Sequence, residues 1–433
     1  MLVRREARPD DLVVRGARVL DPVAGIDAVL DVRIDGGTIA ALGEDLHPNG
    51  HRVVEGRGLV LAPAFVDPHV HLRTPGREDE ETIASGTRAA AAGGFCALLA
   101  MPNTDPVVDS AAVLGALVDL ARAEAEVPVG FLAAITKGQR GEELAELGEL
   151  SDRGAVAFSD DGRPVESPAL MRRALQYSAV TDRPLAVHCE EPSLSRSGQM
   201  HEGAVSAELG FAPYPSLAES LMVERDLRLA EAESRPLHLL HLSARGSVEA
   251  LRVAQACGVE ASGEVTPHHL SRTDEAVRTL DPNTKMNPPL RGDDDRAALI
   301  EALRDGTIAA VATDHAPHAR HEKEVPFEAA PFGVTGLETA FAALFTHLVQ
   351  PGLLRLETLL ERMSDGPARI FGLPRPRIAV GEPANLVLLD LERRWRVGAD
   401  GFRSRSVNSW LLGERVRGQV RLTVADGRAV FQR

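Results

Sequence analysis

Lysine is almost missing from this 433-residue chain: Lys137, Lys285 and Lys323 stand against 45 arginines. Cysteine is as rare. Cys96, Cys189 and Cys257 are too few and too scattered to brace a disulfide-built fold. No stretch approaches about 18 uninterrupted apolar residues, so a membrane-spanning helix is excluded. The opening residues, MLVRREARPDDLVVRG, hold no apolar segment of the kind that directs secretion. Positive charge is in deficit, and a formal net charge of −15 argues against nucleic-acid or anionic-membrane surfaces as partners. The expectation is a cytoplasmic protein with no nucleic-acid and no membrane partner. A small anionic ligand stays within reach, because a local cluster of arginine or metal can overrule the global field.

What is present reads as globular, with 44% hydrophobic and 26% charged residues, enough for one large domain and a smaller one. Before residue 60 the texture is short alternating runs and turns, as in AVLDVRIDGGTIAALG, where DGG marks a hairpin. The same texture returns after about residue 375 in ANLVLLDLE and VRLTVADGRAVF. Residues 1–60 and 375–433 are therefore expected to form one small β-sandwich domain from both termini.

Residues 61–374 alternate differently. Eight short apolar runs, most ending in polar residues, are separated in several places by helix-forming stretches such as DSAAVLGALVDLARAEAE and SPALMRRALQYSAV. This α/β pattern predicts a (β/α)8 TIM-like barrel, whose chemistry sits at the C-terminal ends of its strands.

The first of these runs ends in FVDPHVHLR. Alternate residues on a strand point the same way, so His69 and His71 converge on one volume, and Arg73 continues the alternation. Other strand ends carry Asp160 and Asp161 (FSDDG), His188 (VHCEE), His241 (LLHLS), His268 and His269 (TPHH), and Asp314, His315 and His318 (TDHAPH). A barrel gathers these hard and borderline ligands around one mouth, whereas unrelated salt bridges and caps would scatter them. Four histidines and two carboxylates exceed the three protein ligands of a usual single catalytic zinc, so two ions fit better than one.

Together DPHVHLR, MPNT, FSDDG, VHCEE, TPHHL, KMNPPLR, TDHAPH and PFGVTGLET resemble the dihydroorotases of the bacterial class I type, in the cyclic amidohydrolase superfamily. The likeness runs nearly end to end. It implies two zinc ions per chain, one held by His69, His71 and Asp314 and one by His188 and His241, with Asp161 bridging both. Asp160 is the rival for the bridge, since adjacent strand residues face opposite ways. It further implies that Arg73 and Asn103 grip a substrate carboxylate, that His318 adds a donor to it, and that Asn287 holds the pyrimidine edge. Asp314 would be the catalytic acid–base. The implied reaction is reversible hydrolysis of the cyclic amide of dihydroorotate to N-carbamoyl-aspartate by a metal-bridging hydroxide, run towards ring closure in pyrimidine biosynthesis. The resemblance also brings the expectation of a homo-oligomer and leaves open an association with aspartate transcarbamoylase.

Two rivals share this architecture. Hydantoinase- or allantoinase-type relatives generally bridge their metals with a carboxylated lysine and lack the arginine of HVHLR; here the aspartates of FSDDG occupy that strand end. An inactive homologue scaffolding the transcarbamoylase would typically have lost its ligands, yet every implied ligand is present. Thr74 and Trp410, where relatives tend to carry glutamate and proline, touch none of them.

Overall fold

The computed structural model describes residues 1–433. Strand Phe65–Val70 pairs in parallel with Phe95–Ala100, which pairs with Val129–Phe131. Across the barrel, Leu185–Val187, Leu237–Leu239, Ala261–Val265 and Ala310–Val311 form a second parallel set in that order. Phe158 joins the two halves by bridging both Ala133 and Leu185, and the Val70–His315 bridge closes the ring. Residues GAVAFSDDG, expected as a full fourth strand, supply only this short link. Its backbone bonds to its neighbours run from Val156 to Ser159, after which the Asp160 carboxylate caps the amides of Ile135 and Thr136.

Local chemistry sets the helices between the strands. Helix Ile83–Gly93 starts at a capping box built by Thr82 and Ser85, and Ser110 caps Ala111–Glu124 through the amide of Val113. The first of these helices ends on a glycine pair for two separate reasons. Gly94 has φ +93°, and a Cβ on Gly93 would lie 2.1 Å from the Leu337 carbonyl oxygen. That close approach seats Phe65 and Phe95 edge to face at 5.7 Å, with Phe341 stacked on Phe65. Both barrel phenylalanines are fully buried in the main apolar core, so replacing either by alanine is expected to cost about 3–5 kcal/mol.

The chain ends build one continuous eight-stranded sheet. The antiparallel pair Leu12–Asp21 and Ile26–Asp35 meets the C-terminal strands Leu386–Arg396 and Arg415–Ala425 through Val60–Pro63. The sheet curls over its own cluster of fifteen buried residues, including Leu12, Ile34, Leu386 and Val424. Its two DG turns meet where Gly37 and Gly427 pack so closely that a side chain on either would clash. No helix is long and apolar enough to cross a membrane. Cys96 and Cys189 are buried, and burial pushes the Cys96 thiol up to about 12. His51, His201 and His347 are half-buried, and His51 pairs with Asp35 at 2.6 Å.

Candidate active site

The six implied ligands converge at the C-terminal mouth of the barrel, all of them buried. Asp161 is at the centre: its carboxylate lies 3.6 Å from His69 Nε2, 3.5 Å from His71 Nε2, 3.5 Å from His241 Nε2 and 4.0 Å from His188 Nδ1. Asp314 lies 3.1 Å from His71 Nε2 and 3.4 Å from His69 Nε2. His188 Nδ1 and His241 Nε2 are 2.9 Å apart. Asp160 points away, bound to Ile135, Thr136 and the Thr136 hydroxyl.

Three of the four rings are turned by a partner on the far side, whereas the buried His241 Nδ1 has none. His69 Nδ1 lies 2.7 Å from Glu264 and His71 Nδ1 lies 2.9 Å from the Asn103 side-chain oxygen. His188 Nε2 lies 2.8 Å from Glu190. With the proton held on the outer nitrogen, the inner nitrogen presents a lone pair, which is how histidine ligands are prepared for a metal. Glu264 also binds His238 Nε2 and the backbone amide of His241.

The electrostatics are those of a cation site. Burial disfavours a charged His69, but Asp161, Asp314 and Glu264 outweigh it and raise the ring well above its usual range. Burial likewise opposes charge on Asp161 and Asp314, and the surrounding histidines hold both carboxyls well below the usual range. A field that favours an imidazolium favours a metal ion more, and the buried His69 Nε2 has no hydrogen-bond partner. Nitrogen and carboxylate donors in two overlapping groups, His69–His71–Asp314 and His69–Asp161–His241, suit a borderline divalent ion such as zinc. The residues fit a metal.

Above the ligands opens a cavity of about 310 Å³, lined also by Arg73, Asn103, Asn287, His318 and Phe332. Arg73 does not continue the strand alternation. The strand stops at Val70, and Arg73 has φ +56°, so a turn delivers its side chain to the mouth. Asn103 is committed to the ligands, accepting from His71 and donating to Asp161 at 3.3 Å. Asn287 donates to Glu190 at 3.0 Å and keeps a buried oxygen without a partner. His318 has Nε2 2.8 Å from the Phe332 carbonyl. His268 and His269 are buried beside the ring; His269 binds Thr266 and the Pro288 carbonyl.

Glu264, Glu190 and His238 escape a reading of strand ends. Glu264 and His238 lie inside barrel strands, and their one signal is an ionisable residue within an otherwise small or apolar run, ASGEV or PLHLL. Glu190 stands two residues past His188, where VHCEE offers two acids and no means of choosing between them.

The family model described as Dihydro-orotase-like matches residues 58–247. A dihydroorotase from Geobacter metallireducens is 45% identical over 98% of this chain and 100% of its own length. One from Anaeromyxobacter dehalogenans is 47% identical, covering 98% of each chain. Among solved structures, the L-hydantoinase (dihydropyrimidinase) from Arthrobacter aurescens superposes with a TM-score of 0.86 at 26% identity, covering 98% of this chain and 96% of that one. A dihydropyrimidinase from Brevibacillus agri gives a TM-score of 0.85 at 22% identity, over 98% and 95% of the two chains, and speaks for the fold alone.

Proposed function

This chain belongs to the dihydroorotase family and is an enzyme acting on cyclic amides, and from that premise we propose the working of its site. The substrate is dihydroorotate, opened reversibly to N-carbamoyl-aspartate, and the biosynthetic direction is ring closure towards pyrimidines. The observation that carries this reading is an arginine at the mouth of the barrel, beside the ligand cluster, whose Nη edge has no hydrogen bond to protein.

His69, His71 and Asp314 would hold one zinc, His188 and His241 a second, and Asp161 would lie between them. Bound zinc supplies a water that ionises near neutral pH and a Lewis acid for the amide carbonyl. The protein does the rest. Asp314 takes the proton released as water adds to the ring carbonyl and returns it to the departing ring nitrogen, acting first as base and then as acid. Water is consumed, the ring C–N bond breaks, and the new carboxylate releases a proton. Acid therefore favours closure and alkali opening.

Arg73 recognises the substrate's carboxylate. Its one hydrogen bond to protein runs from Nε to the Pro317 carbonyl at 3.1 Å, and Glu80 pairs with the same nitrogen as an ion at 3.0 Å, so Nη1 and Nη2 remain for a paired grip. His318 and Asn103 border the same end of the cavity, and Asn287, with its unpartnered oxygen, faces the ring's amide edge. Hydantoin and dihydrouracil lack the carboxylate, so this clamp selects against them.

The test is a spectrophotometric assay of zinc-loaded protein with dihydroorotate, and with dihydrouracil, hydantoin and allantoin as controls. Turnover of dihydroorotate alone is expected. Preference for a control would overturn the assignment of Arg73.

A further inference from the structure

Beside the metal ligands lies a second charged cluster made of Arg73, Arg77, Glu80, His318 and Glu322, and Glu80 is its hub. The Glu80 side chain is 1% exposed. One carboxylate oxygen lies 3.0 Å from Arg73 Nε; the other lies 2.6 Å from Arg77 Nη2 and 3.2 Å from His318 Nδ1. Glu80, His318 and Glu322 are close enough together to suggest a further metal site. A guanidinium already fills that role: the same Arg77 nitrogen that binds Glu80 lies 2.6 Å from Glu322. The cluster is an ion-pair network that meets solvent at Arg77 and meets the cavity at the unengaged edge of Arg73.

We propose that Glu80 is the positioning residue of the substrate-carboxylate clamp. It touches neither substrate nor metal in this arrangement and works through Arg73 and His318, which line the cavity as Glu80 does not. A guanidinium has two usable edges. Glu80 and the Pro317 carbonyl take up Nε, so the Nη pair is the edge left for a ligand. On the other side, Glu80 faces His318 Nδ1, which fixes the ring between Glu80 and the Phe332 carbonyl that Nε2 meets at the cavity rim. Glu80 is the anion in ion-pair contact with Arg73, at 3.0 Å. Without that charge the arginine would have reason to turn towards solvent, and the clamp would have to be ordered again at each binding event. The proposal rests on Arg73 holding the substrate's carboxylate, with His318 bordering that end of the cavity.

Charge and position predict opposite signs, which makes the test sharp. If Glu80 merely diluted the positive potential, its neutralisation would tighten anion binding. If it positions the clamp, neutralisation weakens binding. Zinc-loaded wild type, Glu80→Gln and Glu80→Asp are compared by kcat and KM for dihydroorotate and by calorimetric Kd for orotate, a planar analogue with the same carboxylate. Glu80→Gln should raise KM and the orotate Kd roughly tenfold or more, with kcat changed less than about threefold. Glu80→Asp, which keeps the charge, should recover part of the loss. Should Glu80→Gln not fold, Glu80→Asp carries the test: a raised KM at nearly constant kcat supports the proposal. Unchanged or lowered KM and Kd in the variants overturn it, as does a loss confined to kcat. A wild type that neither turns over dihydroorotate nor binds orotate would instead overturn the parent reading, so the two failures are distinguishable.

Discussion

At the scale of single residues, the site is prepared by side chains outside the set of metal ligands. His71 is turned by Asn103 on one face so that its other nitrogen meets Asp314 at 3.1 Å, and Glu264 does the same for His69. The backbone is strained at the same places. Arg73, His241 and Asp314 have φ of +56°, +29° and +46°, conformations that non-glycine residues avoid and that collect where function over-determines them. None of this strain is legible in the sequence, which shows residue types at strand ends and not the torsions that aim them. The choice of Asp161 over Asp160 is similar. Adjacent aspartates face opposite ways on any strand, and only the amides of Ile135 and Thr136, found in space, reveal that Asp160 is occupied. Asp314 is assigned both proton transfer and metal contact, so Asp314→Asn should lower kcat roughly 10³-fold with its circular dichroism and melting temperature near wild type. Retention of most activity would remove Asp314 from the mechanism.

At the scale of elements, each strand end needs a brace, because a ligand-bearing segment just beyond a strand has lost its ladder. Helix Leu217–Glu233 provides one. Glu219 accepts hydrogen bonds from the amides of Ser243 and Ala244 and from the Ser243 hydroxyl, immediately after His241, and faces the buried Arg291 at 3.8 Å. Burial would push this carboxyl up, but Arg291 and Ser243 outweigh it and hold it below its ordinary value of 4.5. The folded state then binds fewer protons than the unfolded one in that range. The stabilisation is present above pH 4.5 and drains as pH falls towards the folded value. Glu219→Gln should cost about 3–5 kcal/mol at neutral pH by leaving Arg291 unpaired, and should flatten the acid limb of stability below pH 4.5. Denaturant melts from pH 3 to pH 7 read both effects; an unchanged acid limb would remove Glu219 as the brace. Two of the chain's three lysines serve elements as well. Lys285 binds the carbonyls of Phe327 and Glu328, and Lys323 those of Pro282 and Pro331, tethering the loop that brings Phe332 to the cavity. An ammonium with three rotatable donors suits converging carbonyls better than a flat guanidinium, a physical reason for lysine at these two points in an arginine-rich chain.

At the scale of the whole molecule, the sequence announces its architecture more plainly than its internal wiring. Short apolar runs separated by helical stretches, most with polar residues at their ends, make the barrel legible, and the strand-and-turn texture at the two termini makes a β unit built from both ends legible. Closure is not legible. The fourth strand is only a short link through residues 156–159, and the first and last strands join through the Val70–His315 bridge and the bonds of Thr313 to the Asp67 carboxylate. Closure matters because His69, His188, His241 and Asp314 come from segments spread over 246 residues, so the metal site exists only when the barrel is complete. The account stands most directly on that site. Its decisive measurement is reconstitution of chelator-stripped protein with zinc, following dihydroorotate turnover against zinc bound per chain. The account predicts negligible activity without metal and a rise that levels off at two zinc ions per chain, with Asp161→Asn failing to reach that plateau. Full turnover in the stripped protein, or a plateau at one ion, would contradict it.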